Sequence, residues 1–361
     1  MIAFKLPSLG ADMDAGTLLE WRVKPGDTVQ RGDVVAVVDT TKAAIDVEIW
    51  EAGTVFEILV QPGEKIPVGT VLATLLSPGE SRPAAAPPAV AAQRRPISPA
   101  ARKRAEELGI DLGVLAGTGP GGAVTLADVE GAVRVRAPQD RGALMRAAIA
   151  AAMSRSKREI PHYYLAETVP LDHAVAWLSR ENEGRPVTER ILMAALFLKA
   201  VARAVRKYPE MNGHYRDGGF VPAAATHIGV AISLRGGGLI APALHDVGDK
   251  PPAQVMRELG DLVARARAGS LRSSEMADPS ITVTNLGDRG VDSVFGVIYP
   301  PQVALVGFGR VSERPWVVDG AVRPVPMATA SLAADHRVSD GHRGAAFLAE
   351  VRDLLARPED L

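Results

Sequence analysis

One histidine of the chain stands in a pattern that could support proton transfer. The stretch SLAADHRVSDGHRG, residues 331–344, carries a strand-like run into His336, and Asp340 and Gly341 follow before an amphipathic helix. Histidine can accept a proton near neutral pH because its ordinary pKa is about 6.5. An acid four residues later can fix the intervening loop. The same spacing is typical of a structural histidine at a strand end beside a surface acid, so both interpretations stay open on spacing alone.

A second candidate is a lone lysine in the stretch VDTTKAAIDV, residues 38–47. Lys42 lies between two apolar, strand-like segments, and its only acidic neighbours in the sequence are Asp39 and Asp46. This layout predicts that Lys42 projects from the tip of a hairpin. A solvated turn lysine is the ordinary interpretation of such a residue.

The sequence around Lys42 contains a duplicated unit. VKPGDTVQRGDVVAVV at 23–38 and VQPGEKIPVGTVLATL at 60–75 share a Pro-Gly turn, an acidic residue, a second glycine six positions later and an alternating apolar run. Two copies of one β unit predict a small all-β domain with internal pseudo-twofold symmetry. We assign this domain, a sandwich or barrel, to residues 1–77.

Composition excludes several classes of site. The 361 residues include no cysteine, which excludes a disulfide framework and a thiolate ligand or nucleophile. No nucleophile elbow, P-loop or H-E-x-x-H motif is present, so we expect neither a serine hydrolase nor a metal site.

The formal net charge of −1 gives no overall field that would attract nucleic acid. The longest apolar run, at 191–198, is far shorter than the ~20 residues that span a bilayer. With no signal-peptide pattern, we expect a cytoplasmic protein.

The rest of the chain divides by composition. Residues 78–96 are rich in alanine and proline, which cannot bury a core and favours an extended linker reaching roughly 50–60 Å. Such a tether gives a mobile domain access to several sites. Residues 97–133 predict a small helical domain, residues 134–141 a short linker, and residues 142–361 one large α/β domain.

The small helical domain has clear helix-start signals. Ser98 and Thr125 are predicted to cap two short helices joined by a glycine-rich loop. The loop sequence GTGPGG at 117–122 formally matches the dinucleotide-binding pattern. We reject that function because no strand precedes the loop, a proline lies within it and no βαβ unit follows.

The large domain alternates helical and strand-like patterns. Helices are predicted for ALMRAAIAAAMSRSKR and VTERILMAALFLKAVARAVRKY. Strands are predicted for HYYLAETVPL, HIGVAISL, SITVTNLG, QVALVGFGRV and VPMATASLAA.

The first domain resembles the lipoyl domain family, from LPSLGADMDAGTLLEW through the duplicated unit and DTTKAAIDVEIWEAGTV. In that family the lysine of an ETDKA-like turn carries lipoic acid in amide linkage, so the resemblance implies lipoylation of Lys42. Thr41 replaces the acidic residue that usually precedes the lysine. The related biotinyl domains place methionines on both sides of the lysine, and this turn has none.

Residues 97–133 resemble the peripheral subunit-binding domain of 2-oxoacid dehydrogenase complexes. The run RRPISPAARKR includes Arg102, Lys103 and Arg104 with no acid. The resemblance implies a cationic surface that docks acidic partner enzymes. The alternative is a solvated helix face, and nucleic acid is less supported because no aromatic residues interleave. Ala123 stands where family members commonly have a basic residue, which bears on partner choice.

The large domain resembles dihydrolipoamide acyltransferases, whose H-x-x-x-D-G signature matches DHRVSDG and is similar to that of chloramphenicol acetyltransferase. Further stretches occur in the family's order, including GGGLIAPAL and ITVTNLGDRGVDSVFGVIYPPQVALVGFG. The resemblance implies that His336 is the general base and that Thr284 donates a hydrogen bond to the oxyanion. Thr282 is the competing register for that donor, and a plain strand residue is the alternative. Asp340 would orient the loop by pairing with an arginine.

Together these resemblances imply a core acyltransferase of a 2-oxoacid or acetoin dehydrogenase complex. It would move an acyl group, most simply acetyl, from lipoyl-Lys42 to coenzyme A. Its implied partners are a thiamine-dependent dehydrogenase and a flavin-dependent dihydrolipoamide dehydrogenase. The resemblance also implies homotrimers that assemble into a larger core, with the active site between subunits.

Three other functions stay open from the sequence. Branched-chain and succinyl acyltransferases share these motifs, so the acyl group is not fixed. A non-catalytic scaffold could keep the carrier and docking domains, but it would be free to lose His336, Asp340 and Thr284. A free-standing small-molecule acetyltransferase would have no use for a carrier domain and a linker.

Overall fold

A computed structural model describes residues 1–9, 13–40, 44–77, 96–108, 112, 117–130, 141–234, 238–287 and 290–361. The chain divides into two compact units, one formed by Met1–Glu80 with Met145–Leu361 and the other by Ser81–Leu144. Lys42 lies outside the described residues.

The amino-terminal β domain consists of two four-stranded sheets that enclose one apolar core. The sheet orders are β1-β8-β6-β3 and β5-β4-β2-β7. Its core contains fully buried aliphatic side chains such as Leu18, Val38, Ile45 and Leu72. The strands are β1 (Ile2–Lys5), β2 (Ala15–Trp21), β3 (Thr28–Val29), β4 (Val34–Asp39), β5 (Ala44–Glu48), β6 (Gly53–Ile58), β7 (Lys65–Pro67) and β8 (Val71–Leu76).

The predicted duplication is visible in two matching turns. Gly26 and Gly63 adopt φ values of 98° and 95°, a region that favours glycine. The carboxylates of Asp27 and Glu64 each accept a hydrogen bond from the backbone N–H three residues earlier, at 2.9 and 3.0 Å. The strands that follow are β3 and then β4 in one copy and β7 and then β8 in the other, and the corresponding strands belong to opposite sheets. The repeat therefore builds the two halves of a pseudo-twofold β domain, as the sequence predicts.

Both helix starts predicted for the small helical domain are confirmed. Helix α1 (Pro99–Leu108) begins after Ser98, whose Oγ accepts a hydrogen bond from the backbone N–H of Ala101 at 3.2 Å. Residues 126–130 are helical, and the Oγ1 of Thr125 accepts from the backbone N–H of Asp128 at 3.4 Å. These caps satisfy backbone donors that a helix start leaves unpaired.

Asp128 also ties the loop before this second helix to its first turn. The Thr118 hydroxyl donates to its carboxylate at 2.6 Å, and the backbone N–H groups of Thr118 and Thr125 donate at 3.0 and 2.8 Å. These hydrogen bonds, the Thr118 hydroxyl first, hold the pKa of Asp128 well below its ordinary value. Ionised Asp128 therefore stabilises the small helical domain.

We expect Asp128→Asn to destabilise residues 117–130, because one end of the amide donates where the carboxylate accepts. Since the folded-state pKa is depressed, the wild-type advantage is present above the unfolded pKa, near 3.8, and is lost as the pH falls below it. Hydrogen exchange of the full chain at pH 7 should be faster in this segment of the variant. Glu106→Gln, at an exposed position on α1, is the control, and equal exchange in all three proteins would contradict the assignment.

The large domain is built on a seven-stranded sheet of order β15-β12-β17-β18-β20-β19, with β9 also paired to β20. β12, β17 and β18 run parallel, and β20 runs antiparallel to β18. The strands of this domain are β9 (His162–Pro170), β10 (Gly213–Arg216), β11 (Gly219–Pro222), β12 (Ile228–Val230), β13 (Ile232–Ser233), β14 (Leu239–Ile240), β15 (Ala243–Leu244), β16 (Leu271–Arg272), β17 (Ile281–Asn285), β18 (Ala304–Phe308), β19 (Ser312–Val318) and β20 (Ala321–Asp335).

Helices pack against this sheet and form the main core with it. α4 contacts both α5 and α7, and Phe197 of α4 stacks on Phe308 of β18 with ring centroids 4.0 Å apart. Within the described ranges, no helix has the length and apolar character that a bilayer-spanning segment needs. The helices are α2 (Arg141–Glu159), α3 (Asp172–Glu181), α4 (Met193–Lys207), α5 (Pro252–Ala268), α6 (Ser273–Ala277) and α7 (Gly341–Leu355).

The predicted elements of the large domain are present, with two differences. HIGVAISL is split into β12, which pairs with β17, and β13, which pairs with β14. The second predicted helix begins only at Met193, after a short 3₁₀ turn at Val187–Glu189. The reason is Asn182, whose side-chain amide bonds both the N–H and the C=O of Ile191 at 2.8 Å. Because both backbone groups of Ile191 are bonded to Asn182, Ile191 stays outside the helix, which begins two residues later.

Candidate active site

His336 lies in the short loop between the end of β20 and the start of α7. Its side chain is exposed, and its backbone N–H donates to the carbonyl of Pro161 at 3.0 Å. An open cleft of about 390 Å³ adjoins the ring. The cleft is lined by Glu210, His336, Arg337, Val338, Ser339, Asp340 and Arg343.

An ion pair with a buried carboxylate fixes the backbone on both sides of His336. Asp335 is fully buried, and its carboxylate accepts from Nε and Nη2 of Arg337 at 3.0 and 2.7 Å. It also accepts from the backbone N–H of Arg337 at 2.9 Å. The guanidinium carbon of Arg337 lies 3.8 Å from the ring centroid of Tyr215, a cation–π contact. The hydrogen bonds that Arg337 donates to Asp335 raise the pKa of Arg337, so the guanidinium stays charged.

Tyr163 of β9 supports the His336 ring from one side. The two ring centroids are 5.2 Å apart in an edge-to-face arrangement. The Tyr163 hydroxyl shares a 2.8 Å hydrogen bond with the hydroxyl of Ser339, on the same loop as His336. Burial raises the pKa of Tyr163, so it is neutral at physiological pH. These contacts limit the orientations open to the imidazole.

Asp340 orients the loop by capping α7. Its carboxylate accepts from the backbone N–H of Arg343 at 2.9 Å, and this bond is the main reason that the pKa of Asp340 is lowered. The Arg343 guanidinium bonds Glu210 instead. The arginine pairing expected for Asp340 is therefore made by Asp335, at the end of β20.

The two threonine candidates of β17 differ in availability. Thr282 is fully buried, and its hydroxyl donates to Oε1 of Gln302 at 2.7 Å. Thr284 is half-buried, and its hydroxyl makes no hydrogen bond within the part of the chain that the structure describes. Only the Thr284 hydroxyl is therefore open to an incoming group.

His336 and Thr284 do not meet within one chain. Thr284 pairs with Gly307 of β18, which pairs with Ser331 of β20, and His336 lies five residues beyond Ser331. At roughly 3.3 Å per residue and roughly 4.8 Å per strand, the two backbone positions are about 19 Å apart. One carbonyl group cannot contact both side chains at that separation.

A second histidine near the loop, His162, is engaged on both ring nitrogens. Its Nδ1 lies 2.9 Å from the carbonyl of Ile160, and its Nε2 accepts from the backbone N–H of Ile298 at 3.2 Å. This geometry assigns the proton to Nδ1. Burial lowers the pKa of His162. His162 is therefore a structural histidine, unlike the exposed ring of His336.

Sequence reasoning assigned no role to three residues that position His336. Asp335 and Arg337 flank it two residues apart, and that spacing at a strand end is a visible signal for a pair around one residue. Tyr163 is distant in the sequence, and only the pairing of β9 with β20 brings it to the loop. No sequence pattern could have identified it.

Comparison with known proteins decides the family. The model for the 2-oxoacid dehydrogenases acyltransferase catalytic domain matches residues 141–361, more than half of the chain. The chain belongs to this acyltransferase family. Models described as biotin-requiring enzyme and as e3 binding domain match residues 2–75 and 95–130.

Curated relatives match the acyltransferase along nearly its whole length. Two are named dihydrolipoyllysine-residue acetyltransferase component of pyruvate dehydrogenase complex. The Rhizobium meliloti protein is 30% identical, and the match covers 99% of this chain and 98% of the relative. The Zymomonas mobilis protein is 29% identical, with the same coverage.

Solved structures resemble the large domain. Azotobacter vinelandii dihydrolipoamide acetyltransferase is 28% identical with a TM-score of 0.55, and the match covers 59% of this chain and 88% of that one. A serine, a histidine and an asparagine have roles in the catalytic mechanism of that enzyme. The cubic core of a pyruvate dehydrogenase multienzyme complex matches with the same identity, TM-score and coverage.

The three predicted domain classes are thereby confirmed: an all-β lipoyl domain, a small helical docking domain and an α/β acyltransferase domain. The amino-terminal β domain is the lipoyl domain, and the large domain is the acyltransferase domain. The protein is an enzyme that transfers acyl groups, with lipoic acid as its cofactor and coenzyme A as the acyl acceptor.

We expect Arg337→Gln to lower the free energy of unfolding of the acyltransferase domain by about 3 kcal/mol, because it leaves the buried Asp335 carboxylate without a counter-charge. The turnover number should also fall, since the loop around His336 loses the ion pair that holds its backbone. Chemical denaturation and acyl-transfer assays measure the two effects. Arg323→Gln, at an exposed position on β20, is the matched control, and equal stability of both variants would contradict the role of the pair.

Proposed function

We propose that this acyltransferase moves an acetyl group between dihydrolipoyl-lysine and coenzyme A in a pyruvate dehydrogenase-type complex. The observation that carries the proposal is the exposed His336 ring, held beside an open cleft by the Asp335–Arg337 pair. The names of two relatives support acetyl as the acyl group, and each match covers 98% of the relative's length.

His336 acts as the general base. A thiol with a pKa of about 8.5 is mostly protonated at pH 7, and the thiolate is the nucleophile. An imidazole nitrogen of His336 takes the proton from the coenzyme A thiol as its sulfur attacks the thioester carbonyl. The same nitrogen returns the proton to the departing sulfur. General-base catalysis of this kind contributes about 10²–10⁴-fold.

Thr284 stabilises the negative charge that develops on the carbonyl oxygen. Its hydroxyl is half-buried and makes no hydrogen bond within the described residues, so it can donate to an incoming oxygen. Because Thr284 and His336 are about 19 Å apart along and across the strands of one chain, each site combines His336 of one copy with Thr284 of another. This supports a homo-oligomer, a trimer or a larger core, as the active form.

Lys42 is the attachment site of the carrier group. It lies outside the described residues, but Asp39 of β4 and Ala44 of β5 pair in register, so a four-residue connection joins the two strands. That pairing supports a hairpin with Lys42 in its turn. Lipoic acid attached there would supply, in its reduced dihydrolipoyl form, a thiol that carries the acyl group as a thioester.

The small helical domain docks the partner enzymes. Arg102, Lys103 and Arg104 are exposed on α1, and Arg104 pairs with Glu107 at 2.9 Å. Arg102 and Lys103 make no ion pair with described residues, so they are the cations open to an acidic partner. We propose dihydrolipoamide dehydrogenase and a thiamine-dependent 2-oxoacid dehydrogenase as the partners, supported by the e3 binding domain match.

We also propose the domain limits 1–77, 97–133 and 142–361 with linkers at 78–96 and 134–141. The family-model matches at 2–75, 95–130 and 141–361 support them to within a few residues. A cytoplasmic location stays a prediction from the sequence.

The acyl group and the base can be tested together. We expect transfer from acetyl-CoA to free dihydrolipoamide, with slower transfer from isobutyryl-, isovaleryl- and succinyl-CoA, and a loss of about 10²–10⁴-fold in His336→Ala. Preference for a branched donor would instead assign the branched-chain complex. Absence of turnover with every donor in assembled wild-type protein would favour the scaffold function.

The oxyanion donor and the site between copies are tested by complementation. Thr284→Val should lower the turnover number by about 10²–10³-fold with little change in stability. Thr282→Val, the matched control, should mainly reduce stability, because it leaves the buried Gln302 amide without its donor.

Mixed assemblies complete this test. Co-assembly of Thr284→Val with His336→Ala should restore activity, because some sites then combine a wild-type His336 with a wild-type Thr284. If the mixed assemblies stayed as inactive as either parent, the two residues would not belong to sites shared between copies.

A further inference from the structure

The lipoyl domain is joined to the acyltransferase domain by a strand pairing. β16 of the acyltransferase domain adds to the edge of the lipoyl sheet, where it runs parallel to β5. Ile45 pairs with Leu271, and Asp46 pairs with Arg272. The order of the resulting sheet is β16-β5-β4-β2-β7. Edge strands expose unpaired backbone groups that bind an added strand.

Glu48, at the end of β5, extends this contact with buried hydrogen bonds. Its side chain is almost fully buried, at 6% exposure. Its backbone N–H donates to the hydroxyl of Ser273 at 3.1 Å, and its carboxylate accepts from the backbone N–H of Ser274 at 3.2 Å. Burying a carboxylate is costly unless such bonds compensate it. Glu48 is therefore matched to this surface.

The receiving segment is braced by its own domain. Glu275 accepts from the backbone N–H of Arg272 at 2.8 Å and forms a two-pronged pair with Arg265 of α5, at 2.6 and 2.5 Å. Met276 packs against the cores of both the acyltransferase domain and the lipoyl domain. Glu275 thus braces the segment from within its own domain, whereas the backbone N–H of Ser274 is bonded across the contact to Glu48.

The contact leaves the catalytic cleft open. The residues that line the cleft beside His336 all belong to the acyltransferase domain. The strand that is bound, β5, begins two residues after Lys42 in the sequence. The contact therefore engages the edge next to the attachment lysine without covering His336.

We propose that residues 271–276 are a docking site for the lipoyl domain, which binds by strand addition through β5 with Glu48 as its anchoring side chain. The inference rests on the proposed carrier role of that domain. Docking keeps the carrier at the acyltransferase domain between transfers, at a local concentration set by the linker. While docked, the β5 edge is closed to other proteins.

Hydrogen exchange of the full, lipoylated, assembled protein tests the docking site. In the wild type, amides of 44–48 and 271–276 should exchange slowly. Glu48→Lys should accelerate exchange of 271–276 at least tenfold, although the substitution lies in the other domain. Glu57→Lys, an exposed position on β6 in the opposite sheet, is the matched control and should leave this segment unchanged. Unchanged exchange of 271–276 in Glu48→Lys would overturn the proposal.

A second variant guards against unfolding of the lipoyl domain. Ser273→Ala, on the acyltransferase side, should accelerate exchange of 44–48 while the amides of β2 keep wild-type protection. Equal protection of 44–48 in Ser273→Ala and the wild type would count against docking. Transfer from acetyl-CoA to free dihydrolipoamide, measured on the wild type, reports the proposed function separately, because it needs no docked carrier.

Discussion

The buried carboxylate of Asp335 is the constraint around which the catalytic loop is organised. Asp335 lies at the end of β20, which is paired with a strand on each side. An ionised carboxylate without a partner there would strongly destabilise the fold. Arg337 satisfies it with two hydrogen bonds and stacks on Tyr215, which turns the chain back and leaves His336 facing the cleft. The start of α7, capped by Asp340, closes the other end of the loop. The orientation of the proposed base is thus set by charge satisfaction.

The sheet that places His336 also separates it from the proposed oxyanion donor. β17 and β20 are two strands apart, and their registers put Thr284 and His336 at opposite ends. In the proposed mechanism a complete site therefore needs a second copy of the chain. The sheet holds each residue rigidly, so the two residues of one chain cannot approach each other. In the proposed mechanism, catalysis is therefore coupled to assembly of the copies.

The carrier function places opposite demands on the lipoyl domain, which must be rigid itself and mobile as a body. Matching turns at Gly26 and Gly63 and a core of aliphatic side chains make it rigid. The proposed docking of β5 on 271–276 gives the moving domain a defined position. A short strand pairing, the packing of Met276 and the buried acid Glu48 hold this contact.

The sequence by itself determined the features that depend on local chemistry. Turn residues and apolar alternation predicted the duplicated β domain, Ser98 and Thr125 predicted the helix caps, and the DHRVSDG pattern marked His336. Tertiary structure decided what depends on distant partners. It distinguished Thr284 from Thr282 through Gln302, gave the arginine pair to Asp335, and brought Tyr163 to the loop. Hydrogen-bond satisfaction and strand register join residues far apart in the chain, so no local pattern could reveal them.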